Sequence, residues 1–138
     1  MKTGLLKNDS ALNFILAGNA TVTFLNTQTK NRFTFKVSKS KDNDIHFVSV
    51  LTGPDAYTFL GSIFNNNFKS SKKSTIQESA QSFQVFKFVF DRLKTKNLPD
   101  VIEIYHEGKC GRCGRALTVP ESIVSGFGPE CVKKIKTL

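Results

Sequence analysis

Hydrophobic and polar positions change period twice along this chain. Between Ser10 and Gly18 the apolar residues fall at helical spacing, which predicts a short helix that Ser10 can cap and Gly18 can end. From Ala20 the period becomes two. Val22 and Phe24 alternate with Thr21 and Thr23, and a polar turn over Asn26 to Asn31 reverses the chain. Then Phe33, Phe35 and Val37 point one way while Arg32, Thr34, Lys36 and Ser38 point the other. These two segments predict a hairpin. The stretch Asp44 to Leu51 is apolar on both faces, as a central strand would be. Gly53-Pro54-Asp55 is a turn, Tyr57 to Phe64 a further strand, and Asn65 to Asn67 a tight reversal into a short strand opened by Phe68. Beyond a Ser/Lys-rich connection, Phe83, Phe86, Val89, Phe90 and Leu93 recur at spacings of three and four, with Lys87, Asp91 and Lys94 opposite. That is the second helix, ended by Asn97 to Pro99. Val101 to Tyr105 forms the last strand.

The expected fold class is α+β, with a mainly antiparallel sheet packed on one principal helix and a small C-terminal zinc-finger module of treble-clef or knuckle-like form. Residues 1–100 make the α+β domain and residues 101–138 the zinc-binding module. A chain of 138 residues accommodates one domain and a small appendage. Apolar runs such as Phe14-Ile15-Leu16-Ala17 are too short to span a bilayer, and Met1 to Lys7 lacks the apolar stretch of a signal peptide. The three cysteines are odd in number and all lie between Cys110 and Cys131, which points to a reducing compartment rather than a disulfide framework. A cytoplasmic location, with no membrane partner, is the expectation.

The chemistry concentrates in the pattern His106-x3-Cys110-x2-Cys113-x17-Cys131. Zn2+ takes four tetrahedral nitrogen and sulfur ligands, and Cys3His is one of its structural sets. Gly111 and Gly114 sit where a Cys-x2-Cys knuckle needs permissive backbone. Cys131 follows Gly128-Pro129-Glu130, so it falls in the first turn of a helix, where the dipole favours a thiolate. Lys133, Lys134 and Lys136 then place cations at the opposite end, and Thr118-Val119-Pro120-Glu121 reads as a capping box opening a short helix that Gly126 ends. His106 is the candidate fourth ligand. It shares a strand face with Ile102 and Ile104, so the other reading is a packed histidine donating to a carbonyl. Glu103, Glu107 or a water are further candidates for that position. His46 reads as a packed or hydrogen-bonded residue and is not recruited.

The run from Tyr105 to Cys131 resembles a family of small phage, prophage and plasmid proteins of unknown function. The shared pattern includes Cys110, Gly111, Cys113, Gly114, Arg115, Leu117, Thr118, Pro120, Ser122, Gly126, Gly128, Pro129 and Cys131. The upstream phrases His46 to Asp55 and Tyr57 to Phe64 resemble that family too. The resemblance implies that Cys110, Cys113 and Cys131, and His106 with them, are ligands of Zn2+; it implies no reaction. A phage origin would make the site of action the host cytoplasm.

Twenty basic residues against eleven acidic give a net charge of +9 and a pI near 9.6. This permits nucleic acid, DNA or RNA, or an acidic protein surface as partner. Arg32, Lys36, Lys69, Lys72, Lys73, Arg112, Arg115, Lys133 and Lys134 are the candidate contacts. Only four of the twenty are Arg, so attraction to a phosphate backbone is expected over bidentate base reading. The phenylalanines read as core, leaving no base-stacking platform. The rival reading is a protein-binding module or inhibitor that docks on a host enzyme or defence complex. No Ser/His/Asp set, phosphate-cradling loop or paired carboxylates stand at recognisable spacing, so no enzyme is expected.

Overall fold

The computed structural model describes residues 4–41, 44–118 and 120–134. Val119 of the expected capping box and Lys136 of the closing basic run lie outside the described residues, as does the side chain of Lys134. The architecture is α+β and is built on one seven-stranded sheet whose pairings are all antiparallel. In chain order the elements are β1 (Leu5–Leu6), α1 (Asn8–Ile15), β2 (Asn19–Asn26), β3 (Arg32–Lys39), β4 (Ile45–Gly53), β5 (Ala56–Phe64) and β6 (Asn67–Lys69). There follow α2 (Gln81–Thr95), β7 (Ile102–His106), α3 (Pro120–Ser125) and α4 (Pro129–Lys134). The strand order is β1-β7-β2-β3-β4-β5-β6. No helix among the described residues is long and apolar enough to cross a membrane.

The period-two pattern of β2 and β3 becomes a register in which Val22 faces Phe35 and Phe24 faces Phe33. Asn26 turns the chain by accepting the N–H groups of Gln28 and Thr29 on its side-chain oxygen. At the next reversal Asn65 and Asn66 take φ of 53° and 61°, the left-handed values a two-residue hairpin turn requires. On the inner face of the sheet α2 buries Phe83, Phe86, Val89, Phe90 and Leu93. Phe86 lies at the centre, with ring centroids 5.0 Å from Phe35, 4.7 Å from Phe68 and 5.7 Å from Phe24.

A single principal helix does not account for this core. α1 buries Ala11, Phe14 and Ile15 in the same cluster, and the sheet is covered by both helices together. Nor does Ser10 cap α1. The helix starts three residues earlier, at Asn8 behind Lys7, without a side-chain cap bond.

The expected boundary at residue 100 also meets a structural fact. β7 lies inside the sheet, pairing with β2 on one side and β1 on the other. Cys110, Phe127 and Cys131 join the same apolar cluster as Phe24, Phe35 and Phe86. The C-terminal segment is therefore continuous with the sheet's core.

Candidate metal centre

Residues 108–117 double back as a tight hairpin. Leu117 N donates to Gly108 O, Cys110 N to Arg115 O and Gly114 N to Cys110 O, each at 2.8 Å, and Lys109 bridges Ala116. The tip carries Cys110 and Cys113. Gly114 has φ +78°, the conformation a side chain disfavours. Gly111 serves a different need. A Cβ there would lie 2.7 Å from the ring of Phe14, and one at Gly126 would meet the same ring at 2.7 Å. Gly111 N donates to Gly126 O at 3.0 Å, which ties the hairpin to the end of α3. Two glycines from separate turns thus let the backbone close over one phenylalanine of α1. Cys131 then enters in the first turn of α4.

The result is a cluster of three thiols whose sulfur atoms all lie within 4.8 Å of one another. A tetrahedral ion with metal–sulfur bonds of about 2.3 Å sets its sulfurs about 3.8 Å apart, so a contraction of at most about 1 Å completes the fit. Three soft donors at this spacing form a group that can hold a metal ion.

Cys110 and Cys131 are buried and Cys113 is exposed. Burial pushes the Cys110 thiol up. The backbone N–H groups of Cys113, Gly128 and Arg112 aimed at its sulfur outweigh that and bring it down to about 7. Cys131 moves the other way, raised by burial and then by the neighbouring sulfurs, although the guanidinium of Arg112 opposes the shift. Arg112 Nη1 stands 3.6 Å from Cys131 Sγ. Between the two buried thiols, the backbone N–H groups make Cys110 the more readily ionised and burial makes Cys131 the less.

His106 does not join the cluster. Its Nδ1 accepts the Gly108 N–H at 2.9 Å and its Nε2 donates to Ile123 O at 2.6 Å, which assigns the neutral tautomer with hydrogen on Nε2. The ring is buried against Phe14, with centroids 5.8 Å apart. Among the two readings of this residue, the structure places it as a packed histidine donating to a carbonyl. Glu103 and Glu107 belong to the opposite side of the sheet, where Tyr105 OH donates to Glu103 and Thr23 Oγ1 to Glu107, each at 2.8 Å. His46 is buried too, its Nε2 3.0 Å from Leu16 O.

Of the candidate basic contacts, Arg32 and Lys36 stand exposed in the outward row of β3, and Lys69 on β6 faces the same way. Lys72 and Lys73 are exposed on the connection that follows. Arg112, Arg115 and Lys133 are exposed on the C-terminal segment, with Arg112 turned to Cys131. Lys134 lies in α4. The fold therefore gathers three of these cations on the sheet and spreads the others.

Phenylalanine builds the core, but not every phenylalanine alternates inward. The outward face of the sheet carries Phe47 at 41% and Phe64 at 53% exposure, together with half-buried Phe59 and Tyr57. Lys36 Nζ sits 4.9 Å over the Tyr57 ring. Burial first, then the Glu107 and Asp55 carboxylates, hold the Tyr57 hydroxyl protonated beyond its ordinary range. No curated protein and no solved structure matches the chain. Residues 103–136, which take in all but the first residue of β7 and the whole cysteine segment, match a family described as a Family of unknown function (DUF6011).

Proposed function

We propose that this is a small, non-catalytic, phage-type zinc-binding protein that binds nucleic acid through its lysine-rich surface. The observation that carries the reading is the placement of Arg32 and Lys36, both exposed on the outward row of β3 with Thr34 between them, in a chain of net charge +9. Cys110, Cys113 and Cys131 hold the Zn2+, with solvent in the fourth position, since His106, Glu103 and Glu107 are engaged elsewhere. When bound, the ion would act as a structural cross-link. Three thiolates more than neutralise its charge, which favours a structural over a Lewis-acid role for the ion.

A mobility-shift titration of the metal-loaded protein across salt concentrations tests this. Affinity for DNA or RNA should fall linearly in log–log form, and Lys36→Gln should take about one unit from the slope. Absence of any shift at low salt would end the proposal.

Docking on a host protein is the second reading. A groove of about 410 Å³ between α2 and the β2–β3 hairpin favours it. The groove is lined by Val85, Phe88, Ile102 and Phe33, and Phe88 is 41% exposed.

A further inference from the structure

The outward face of the sheet is both aromatic and basic, and among the described residues nothing covers it. α1 and α2 both pack on the inner face. A face left open for want of a partner would ordinarily be polar, because an antiparallel sheet with one solvated side alternates apolar-in and polar-out. Here the alternation fails at β4 and β5. Ile45, Phe47, Ser49 and Leu51 point outward from β4, and Tyr57, Phe59, Ser62 and Phe64 from β5.

The cross-strand register explains why those rings stay accessible. Phe47 lies between Ser38 on β3 and Ser62 on β5. Phe59 lies opposite Ser49, whose other neighbour is Lys36. Phe47 and one side of Phe59 are thus flanked by small hydroxyl side chains, while Phe64, 53% exposed, lies between Ile45 and Asn67. Phe47 and Phe59 do meet, with centroids 6.3 Å apart and planes at 60°, an edge contact that leaves ring faces open. Lys36 and Lys69 border this cluster on its two sides, from β3 and β6. Carboxylates fringe this face and do not enter the ring cluster: Glu107 and Asp55 act on Tyr57 from the β4–β5 turn end, and Asp44, just before β4, pairs with Lys39 at 3.8 Å.

Resting on the reading of the basic surface as a nucleic-acid contact, we propose that the β3–β6 face binds single-stranded nucleic acid, its bases stacked on Phe47, Phe59 and Phe64 and its phosphates held by Lys36, Arg32 and Lys69. Every base has a π-face, so such a platform tolerates sequence, and the cations follow the backbone. A duplex keeps its bases in the stack and can use only the cations. The prediction is therefore a preference for single strands that depends on rings, with a salt dependence that depends on lysines.

The experiment is an anisotropy titration of the metal-loaded full chain against labelled dT12, U12 and a 12-bp mixed-sequence duplex at two salt concentrations. At least one single strand should bind on the order of 10-fold tighter than the duplex. Phe47→Ala and Phe64→Ala should each weaken single-strand binding on the order of 10-fold with the salt slope unchanged. Lys36→Gln should instead lower that slope by about 0.7. Phe47→Leu keeps the apolar bulk and removes the ring. It should lose affinity as Phe47→Ala does, and it serves as the readout if the alanine variant fails to fold. Equal affinity for duplex and single strands, or full affinity in Phe47→Leu, overturns the platform and leaves the basic-surface reading standing. No binding of any of the three overturns both. Sedimentation that showed this face occupied by a second copy, and released by Phe64→Asp, would also overturn the platform.

Discussion

At the scale of single residues, His106 decides what a metal bound by the three thiols would see. Its Nδ1 is spent on the Gly108 N–H and its Nε2 hydrogen on Ile123 O, so neither nitrogen is offered to the thiols. X-ray absorption at the zinc edge should show three sulfurs and one light atom without the outer-shell scattering of an imidazole. His106→Gln should retain one zinc per chain while costing about 1–3 kcal/mol of stability, because the half-buried Ile123 carbonyl loses its imidazole donor. Imidazole scattering, with zinc lost in the variant, would reverse that assignment. The sulfurs carry a pH dependence whose sign follows from Cys110. Its folded value of about 7 lies below the ordinary thiol value, so its stabilising contribution is complete above that ordinary value and is lost as pH falls through 7. Zinc must displace whatever proton the thiol still holds. Calorimetry in buffers of different ionisation enthalpy should therefore count more protons released per zinc at pH 6 than at pH 8. A flat count would contradict the low value.

At the scale of elements, the joint between the 108–117 hairpin and α1 is a steric fit around Phe14. Gly111→Ala would drive a methyl to within 2.7 Å of that ring and should cost about 1–3 kcal/mol in thermal or denaturant unfolding. In a Phe14→Leu background the penalty should shrink, giving a coupling of about 0.5–3 kcal/mol; strict additivity would show that the contact is not what makes Gly111 necessary. None of this was legible in the sequence, because Phe14 and Gly111 lie far apart in the chain and Gly111 reads as a knuckle residue. α2 was legible down to its buried residues, since fifteen residues carry a full helical period. The β2–β3 hairpin was legible for the same reason at period two. β1 was not. Two residues show no period, and Leu5 and Leu6 become a strand only by pairing with Tyr105 and Ile104. The outward rings of β4 and β5 were misread because alternation tells which residues share a face, but not whether a helix arrives to cover it. The cysteine cluster was legible from spacing alone, whereas its fourth position depended on where a buried histidine found its hydrogen bonds.

At the scale of the whole molecule, the cysteine segment and the sheet share one core. β7 feeds directly from the interior of the sheet into the 108–117 hairpin, and Phe14 touches both His106 and Phe127, with ring centroids 5.8 and 5.7 Å away. The thiols therefore close a loop through the fold rather than staple an appendage, and a metal bound there is worth on the order of 10 kcal/mol to whatever it holds together. The far half of the sheet has its own support, since Phe35 and Phe68 pack directly on Phe86 of α2. Two regions of different metal dependence should result. Hydrogen exchange read by mass spectrometry, on zinc-loaded and chelator-treated protein, tests this most directly. Expected is a loss of protection on chelation across 108–134 that extends into α1, β1 and β7, while β3 to β5 and α2 keep theirs. Protection unchanged by the chelator, or lost only within 108–134, would contradict a metal centre built into the common core.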